Sequence, residues 1–227
     1  MEIKRITLFA GHYGSGKTNI AVNWALHLRK QGLPVTIADL DIVNPYFRTK
    51  DSARELEEAG IRMIASPFAN SNVDVPALPG ELYAVVDDKS AHAVLDVGGD
   101  DRGALALGRY TPAILEENNY EMLAVLNFSR PLTATPADAV EVLREVERAG
   151  HLPFTGLINN TNIGAATTPE TVLRSMAAAE EVARLTGLPL VMTTAEESVA
   201  AALEGQVENL FPLHLQEKTN WQRQEEL

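Results

Sequence analysis

The chain has 227 residues, of which 31 are acidic and 19 are basic, so its formal charge is −12, and it contains no cysteine. This length suits one α/β domain with a substantial core, and we expect a single domain over residues 1–227 whose tail is residues 206–227. The negative charge argues against a surface that binds DNA or anionic lipid. The lack of cysteine excludes disulfides, thiolate metal sites, cysteine-ligated iron–sulfur clusters and cysteine nucleophiles.

The sequence predicts neither a membrane span nor a targeting segment. No apolar stretch approaches the roughly 20 residues that a membrane-spanning helix needs. The N-terminus leads directly into a β-like run and lacks the long apolar stretch of a signal peptide. Residues 216–227 mix basic and acidic side chains and so do not form a basic amphipathic helix. We therefore expect a cytoplasmic protein that does not associate with membranes.

Short apolar runs alternate with longer helical patterns along the chain, which is typical of a parallel α/β sheet. Most of the runs lack polar alternation, as expected of strands that are covered on both faces. The predicted strands are residues 6–10, 35–38, 61–65, 93–96, 122–127, 155–159 and 188–192, and residues 210–213 are either a last short strand or an extended packing segment.

Helix starts are marked most clearly in the second half of the chain. Thr135 and Thr168 each place a capping hydroxyl directly before a proline, which favours the first helical position. Thr194, with Glu197 three residues later, predicts a capping box. Residues 66–80 are rich in Pro, Asn and Asp and predict a long loop.

Residues 11–18 read GHYGSGKT and match the phosphate-loop pattern G-x-x-x-x-G-K-S/T in full. Glycines let successive backbone N–H groups point at phosphate oxygens. Lys17 is expected to reach the β- and γ-phosphates, and the Thr18 hydroxyl to ligate Mg²⁺. An apolar strand precedes the pattern, and Ile20, Trp24 and Leu28 give the helix that follows it one apolar face. The predicted nucleotide contacts of this segment are Gly11, His12, Tyr13, Gly14, Ser15, Gly16, Lys17, Thr18 and Asn19.

Two predicted strands end in carboxylates. Asp96 closes one of them and begins a D-x-x-G pattern, in which it would hold Mg²⁺ through water while the amide of Gly98 or Gly99 senses a γ-phosphate. Asp39 and Asp41 form a D-x-D pattern after the second strand, and period-two alternation puts both on one side of the chain. One of these two would lie near Mg²⁺, and the other would orient an attacking water.

This order of motifs resembles the MinD/ParA branch of the SIMIBI-class P-loop ATPases, which also includes the nitrogenase iron protein. The resemblance covers the layout of essentially the whole chain, but in residues only these short motifs. It implies a doubly wound P-loop fold with a mostly parallel seven- or eight-stranded sheet, and slow ATP hydrolysis by a nucleotide-dependent homodimer that acts on a protein client. It also implies that Asp41 orients the hydrolytic water at the metal site, with Asp39 beside it and Asp96 as the metal-side carboxylate.

The phosphate loop departs from that family at its second position. Family members carry a signature lysine there, which reaches across the dimer to the other subunit's phosphates. This chain has His12. A histidine side chain is shorter than that of lysine, and an ordinary imidazole does not carry lysine's permanent charge. Arg48, in the expected first switch, is one candidate for a substitute cation, and a solvated loop arginine is the other interpretation of that residue.

The segment expected to meet the base bears on the choice between ATP and GTP. The loop also resembles that of the metallochaperone GTPases, in which an N-K-x-D motif selects guanine through a carboxylate. Residues 159–162 read NNTN, with an asparagine in place of that aspartate. One amide oxygen does not accept both guanine donors without conflict, whereas carboxamides suit adenine. We therefore predict ATP and Mg²⁺ as cofactors, with Asn160 as the adenine contact; a turn-forming asparagine cluster is the alternative.

Two other functions share this layout. Metallochaperones need clusters of metal ligands, but the five histidines are scattered and no cysteine is present, so we expect no metal site beyond the nucleotide's Mg²⁺. Phosphate-loop ligases of the dethiobiotin-synthetase and cobyrinate-amidase type activate a small carboxylic acid and need further cations in a substrate pocket. The candidate cations for that role are Arg48, Arg102, Arg109 and Arg130. An ATP-driven switch is the preferred hypothesis, with the ligase and the GTPase as alternatives.

Overall fold

One sheet of eight strands forms the centre of the computed structural model, which describes residues 2–40, 52–65, 81–99 and 101–215. The strands are β1 Ile6–Ala10, β2 Val35–Asp39, β3 Arg62–Ala65, β4 His92–Asp96, β5 Tyr120–Leu126, β6 Gly156–Asn159, β7 Leu190–Glu196 and β8 Leu210–Leu213. Their spatial order is β3-β2-β4-β1-β5-β6-β7-β8, and each neighbouring pair is parallel. The predicted α/β fold is confirmed, with eight strands in the described residues.

Helices connect the parallel strands, because each such connection must cross over from one end of the sheet to the other. The helices within the described residues are α1 Lys17–Lys30, α2 Ala53–Glu58, α3 Glu81–Asp87, α4 Asp101–Leu107, α5 Thr111–Glu117, α6 Pro136–Gly150, α7 Pro169–Thr186 and α8 Glu197–Leu203. A short 3₁₀ turn, Pro131–Thr133, precedes α6. None of the helices in this part of the chain is long and apolar enough to cross a membrane.

Apolar side chains cover both faces of the sheet, as the continuous apolar runs predict. Along β1, Leu8 belongs to the cluster that packs under α4, α5 and α6, whereas Phe9 belongs to the cluster on the α1 side. The residues Ile20, Trp24 and Leu28 of α1 are all buried in that second cluster, which confirms the predicted apolar face. Burial on both sides makes β1 a rigid base for whatever follows its carboxyl end.

The helix caps are partly as predicted. Thr135 and Thr168 each cap their helix, and both caps form closed capping boxes. The prediction for Thr194 was wrong, because β7 continues to Glu196, where it still pairs with β8, and Thr194 therefore lies inside a strand. Glu196 caps α8 instead, since its side chain accepts a hydrogen bond of 3.0 Å from the backbone N–H of Ser198.

The strand order places the carboxyl end of β1 between those of β4 and β5. The chain fills the β2 side of the sheet first and the β6 side afterwards, so the order of strands reverses around β1. In open α/β sheets, ligands bind in the crevice at such a reversal, beyond the carboxyl ends of the strands. The predicted loop over residues 66–80 and the tail over residues 216–227 lie outside the described residues.

Candidate functional site

The phosphate-loop motif connects β1 to α1 at this reversal. Lys17 is the first residue of α1, and its side chain is only 2% exposed. Within the described part of the chain, no side chain caps the N-terminus of this 14-residue helix, and its first turn holds no acidic residue. The uncapped N–H groups and the positive end of the helix dipole therefore face the same region as the loop, which is the arrangement that binds phosphate.

Two of the three residues predicted to hold Mg²⁺, Thr18 and Asp96, are in direct contact, and the third, Asp41, lies outside the described residues. The hydroxyl of Thr18 donates a hydrogen bond of 2.6 Å to Oδ2 of Asp96, which is fully buried at the end of β4. Asp39 ends the neighbouring strand β2 and is the register partner of Asp96, and it too is buried. One hydroxyl and two carboxylates are hard oxygen donors of the type that Mg²⁺ prefers, so this donor set fits the metal.

The turn after β4 packs directly on the backbone of the phosphate loop. A Cβ atom at Gly99 would lie 1.9 Å from the carbonyl oxygen of Gly11 and 2.9 Å from Cα of His12, so only glycine fits at this position. Just before the turn, the backbone N–H of Val97 donates to the carbonyl oxygen of Phe9 at 2.9 Å. A displacement of the segment that contains Gly98 and Gly99 would therefore also displace the phosphate loop, because the two backbones are in contact.

A cavity of about 320 Å³ lies beside the loop. Lys17 and Thr18 line it, together with residues at or after the carboxyl ends of β6, β7 and β8, including Asn162, Glu196 and Leu215. Hydrogen bonds from Ser198 hold the pKa of the Glu196 carboxyl below its usual range, so this side chain is ionised at neutral pH. The lining of the cavity thus combines the cationic side chains of Lys17 and Arg130 with polar and acidic residues at the ends of β6 and β7.

Asn160 connects the phosphate loop to β7. Its Nδ2 donates to the carbonyl oxygen of Ser15 at 2.6 Å, and its Oδ1 accepts from the Thr194 hydroxyl at 2.7 Å. Among the described residues, the second N–H and the second lone pair of the amide have no partner and are open to a ligand. The adenine contact of Asn160 stays a prediction, and the bracing of the loop by Asn160 and Thr194 is a role that sequence reasoning missed.

Asn127 is a second buried residue that sequence reasoning missed. It follows β5, and its Nδ2 donates to the carbonyl oxygens of Gly14 and Asn162 at 3.4 and 3.3 Å. Its Oδ1 accepts from the backbone N–H groups of Ser129 and Asn162 at 3.0 and 3.4 Å. The side chain thus joins the phosphate loop to the loops after β5 and β6. The available signal was its place in the sequence, since a polar residue directly after a buried parallel strand lies at the edge where ligands bind.

The remaining predicted residues fall in different places. His12 and Tyr13 lie on the loop, where Nδ1 of His12 is 3.1 Å from the carbonyl oxygen of Tyr13. Asn19 lines the cavity on the first turn of α1. Asp41 and Arg48 lie outside the described residues, as does the side chain of Arg102. Arg109 lies in the turn between α4 and α5 and is not among the described residues that line the cavity.

Comparison with solved structures identifies similar folds. The FtsY cell division protein of Thermotoga maritima aligns with a TM-score of 0.62 and 16% identity over 86% of this chain and 63% of its own. The FtsY signal recognition particle receptor of Elizabethkingia anophelis, solved with GDP, aligns at 0.54 and 14% identity over 86% of this chain and 58% of its own. The 54 kDa signal recognition particle protein of Aeropyrum pernix K1, also solved with GDP, aligns at 0.52 and 19% identity over 83% and 40%.

The chain spans about three fifths or less of the length of these proteins. No protein-family model matches the sequence, and no curated protein matches it significantly. At identities below 20%, the structural likeness concerns the fold alone. The chain therefore shares with these proteins the α/β P-loop fold, with one eight-stranded parallel sheet.

Proposed function

We propose that the protein binds and slowly hydrolyses ATP with Mg²⁺, and that it acts as a nucleotide-driven switch of the MinD/ParA type on a protein partner. The observation that carries this proposal is the 2.6 Å hydrogen bond between the Thr18 hydroxyl and Asp96, which joins the phosphate loop to the end of β4. Beside this bond, Lys17 lies buried at the uncapped N-terminus of α1. A structural role alone does not require a buried lysine and an open helix N-terminus facing one cavity.

The residues of the site divide the chemistry between them. Lys17 and the N-terminus of α1 would bind the phosphate chain, and Thr18 and Asp96 would hold Mg²⁺, which supplies positive charge to the phosphates. Asp39 lies beside Asp96 at the end of β2, and Asp41 follows Asp39 by two positions in the sequence. We assign to Asp41 the orientation of the attacking water. The Gly98–Gly99 turn then changes position with the presence or absence of the γ-phosphate, and this change reaches the protein surface that meets the partner.

The choice of ATP rests on the segment after β6. Asn162 stands where a guanine-selecting carboxylate is expected, and its amide is used locally, since Nδ2 donates to the carbonyl oxygen of Asn160 at 2.8 Å and Oδ1 accepts from the N–H of Gly164 at 3.3 Å. GTP is the second candidate. Glu196 brings a carboxylate to the cavity from β7, and two of the structural neighbours were solved with GDP. If GTP is preferred, Glu196→Gln should remove that preference.

The first experiment measures nucleotide binding by Lys17→Ala. Binding should weaken by about a hundredfold, because a charge-assisted contact to phosphate contributes roughly 1.5–3 kcal/mol and is lost with the ammonium group. Lys30→Ala is the matched control, since Lys30 is an exposed lysine at the other end of the same helix. Undiminished affinity of the Lys17 variant in titration calorimetry would disprove the phosphate-site assignment.

The second experiment distinguishes a switch from a ligase, and it also tests which nucleotide, ATP or GTP, the protein prefers. Turnover of ATP and GTP is measured without any added substrate. A switch should hydrolyse its nucleotide slowly, whereas a ligase should be inactive until its acid is supplied.

Asp41→Asn should bind nucleotide like the wild type but hydrolyse it far more slowly, because its amide is a poor acceptor for the proton of the attacking water. Wild-type turnover by this variant would contradict the role of Asp41.

A further inference from the structure

The side chain of Arg130 lies against the phosphate loop. Its Nε donates a hydrogen bond of 2.9 Å to the carbonyl oxygen of Gly14. A Cβ atom at Gly14 would lie 3.2 Å from Nε and 3.5 Å from Cδ of Arg130, so the arginine occupies the space that a side chain at this position would take. Gly14 also has a φ of +75°, which favours glycine. The loop is therefore shaped to receive the guanidinium group.

A short closed turn holds Arg130 in this place. Its backbone N–H donates to the carbonyl oxygen of Asn127 at 3.2 Å, and its own carbonyl accepts from the N–H of Thr133 at 3.1 Å. The hydroxyl of Thr133 donates to the same carbonyl of Asn127 at 2.6 Å. Since Asn127 itself binds Gly14, the base of the arginine and the loop are parts of one hydrogen-bonded unit. The guanidinium is thus positioned before any ligand arrives.

Most of the donors of Arg130 have no acceptor within the described part of the chain. A guanidinium carries five N–H groups, and the hydrogen bond to Gly14 uses the one at Nε. Among the described residues, no carboxylate lies within ion-pair distance of Arg130, although the chain is strongly acidic. Arg130 lines the same cavity as Lys17 and Thr18. The open donors of a cation in that cavity suit an anionic ligand.

We propose that Arg130 binds the phosphate chain of the nucleotide in the same subunit, as a second cation beside Lys17. This inference rests on the proposed function and assigns the cation that the loop lacks at its second position, where His12 stands. A planar guanidinium offers two parallel N–H groups to phosphate oxygens, which a point charge does not. A charge supplied from within the subunit also means that tight nucleotide binding does not need a partner's side chain.

The experiment compares Arg130→Lys and Arg130→Gln with the wild type, using ATP, ADP and inorganic pyrophosphate as ligands. Arg174→Ala is the control, since Arg174 is an exposed arginine on α7. Arg130→Gln should weaken the binding of ATP and of pyrophosphate by the same factor of about ten or more, because a charge-assisted hydrogen bond is lost. Arg130→Lys should retain part of the affinity. Pyrophosphate has no base or ribose, so it reports on phosphate contacts alone.

Each other outcome overturns the inference in a distinct way. Equal losses in the lysine and glutamine variants, with a lower unfolding temperature for both, would show that Arg130 only braces Gly14. A loss confined to ATP and ADP would place its contact on the ribose or base. Wild-type affinity of Arg130→Gln would refute this inference alone, provided that Lys17→Ala still weakens binding. If the wild-type protein binds no nucleotide, both this inference and the proposed function are refuted.

Discussion

Single buried side chains hold the carboxyl edge of the sheet together. Asn127 uses its amide to join three loops, and Asn160 connects the phosphate loop to Thr194 on β7. A buried amide whose donors and acceptors are engaged in this way has one orientation, since any rotation leaves a polar atom without a partner. These residues therefore fix the relative position of loops that lie far apart in the sequence. Such positioning is what a phosphate site requires.

Glu121 carries a prediction about pH at the level of one residue. It is a buried carboxyl on β5 that accepts a hydrogen bond of 3.0 Å from the hydroxyl of Thr7, which in turn accepts from Nε1 of Trp24 at 3.3 Å. Burial raises its pKa above the ordinary value of 4.5. The native state therefore binds the proton more tightly than the unfolded state, and the stability that this contributes is lost as pH rises through the native pKa.

Replacing Glu121 by Gln should consequently stabilise the protein above the native pKa of the carboxyl and have little effect below the ordinary pKa. The measurement is urea unfolding of both proteins across the acidic and neutral range. Glu145→Gln serves as the control, because Glu145 is exposed on α6. A difference between wild type and Glu121→Gln that does not change with pH would show that the carboxyl does not titrate abnormally.

At the level of elements, Arg5 ties helices to the start of β1, at the end of the sheet opposite the phosphate loop. Its guanidinium forms a salt bridge with Glu117, the last residue of α5, and donates to the carbonyl oxygens of Val86 and Val85 in α3 at 2.8 and 3.4 Å. Lys89 also binds the carboxylate of Glu117. Both Arg5 and Glu117 are nearly buried, so this cluster replaces the hydration that the two charges lose.

Glu117→Gln should destabilise the protein by about 3 kcal/mol near neutral pH, because the buried charge of Arg5 loses its counter-charge. The hydrogen bond from Arg5 holds the pKa of Glu117 below 4.5. The stability that the carboxylate contributes is therefore present above the ordinary pKa and is lost as pH falls through the lower native pKa. The gap between the two proteins should shrink in acid, opposite to the behaviour expected for Glu121. Glu116→Gln, an exposed neighbour, is the control, and a constant gap would contradict the prediction.

At the level of the whole molecule, three exposed apolar side chains lie at the edge of the sheet that holds the site. Tyr13 on the phosphate loop, Leu132 after β5 and Ile163 after β6 are 54%, 61% and 49% exposed. All three follow carboxyl ends of strands, at the edge of the sheet that holds the cavity. Large apolar side chains gathered in this way favour contact with another protein surface. We expect that surface to be a second copy of the chain when ATP is bound.

Light scattering should therefore show a mass twice that of the monomer with ATP and the monomer mass with ADP. Leu132→Asp should abolish the dimer without changing nucleotide affinity, whereas Leu185→Asp on α7 should leave the dimer intact. Each copy carries a charge of −12, so salt should strengthen dimerisation by screening repulsion, while it weakens the binding of phosphate. A monomer under all these conditions would contradict the prediction.

How well the sequence predicted each feature of the fold depends on how far apart in the sequence the interacting residues lie. The end of β7 was predicted less well. Thr194 lies inside this strand because pairing with β8 extends β7 to Glu196. Capping by Thr135 and Thr168 was predicted correctly, because a cap involves only residues within one turn. Asn160 and Ser15 were each predicted as site residues, but the hydrogen bond between them was not, since 145 positions separate the two.

The sequence by itself determined the alternation of strands and helices, the phosphate loop and the carboxylates at two strand ends. These features depend on glycine conformations, on apolar periodicity and on hydrogen bonds between near neighbours, all of which are local properties of the chain. Only the tertiary structure decided which strands are neighbours, and hence that Thr18 meets Asp96 and that Arg130 lies on Gly14. Those contacts join residues 78 and 116 positions apart, and nothing but the packing of the sheet brings such residues together.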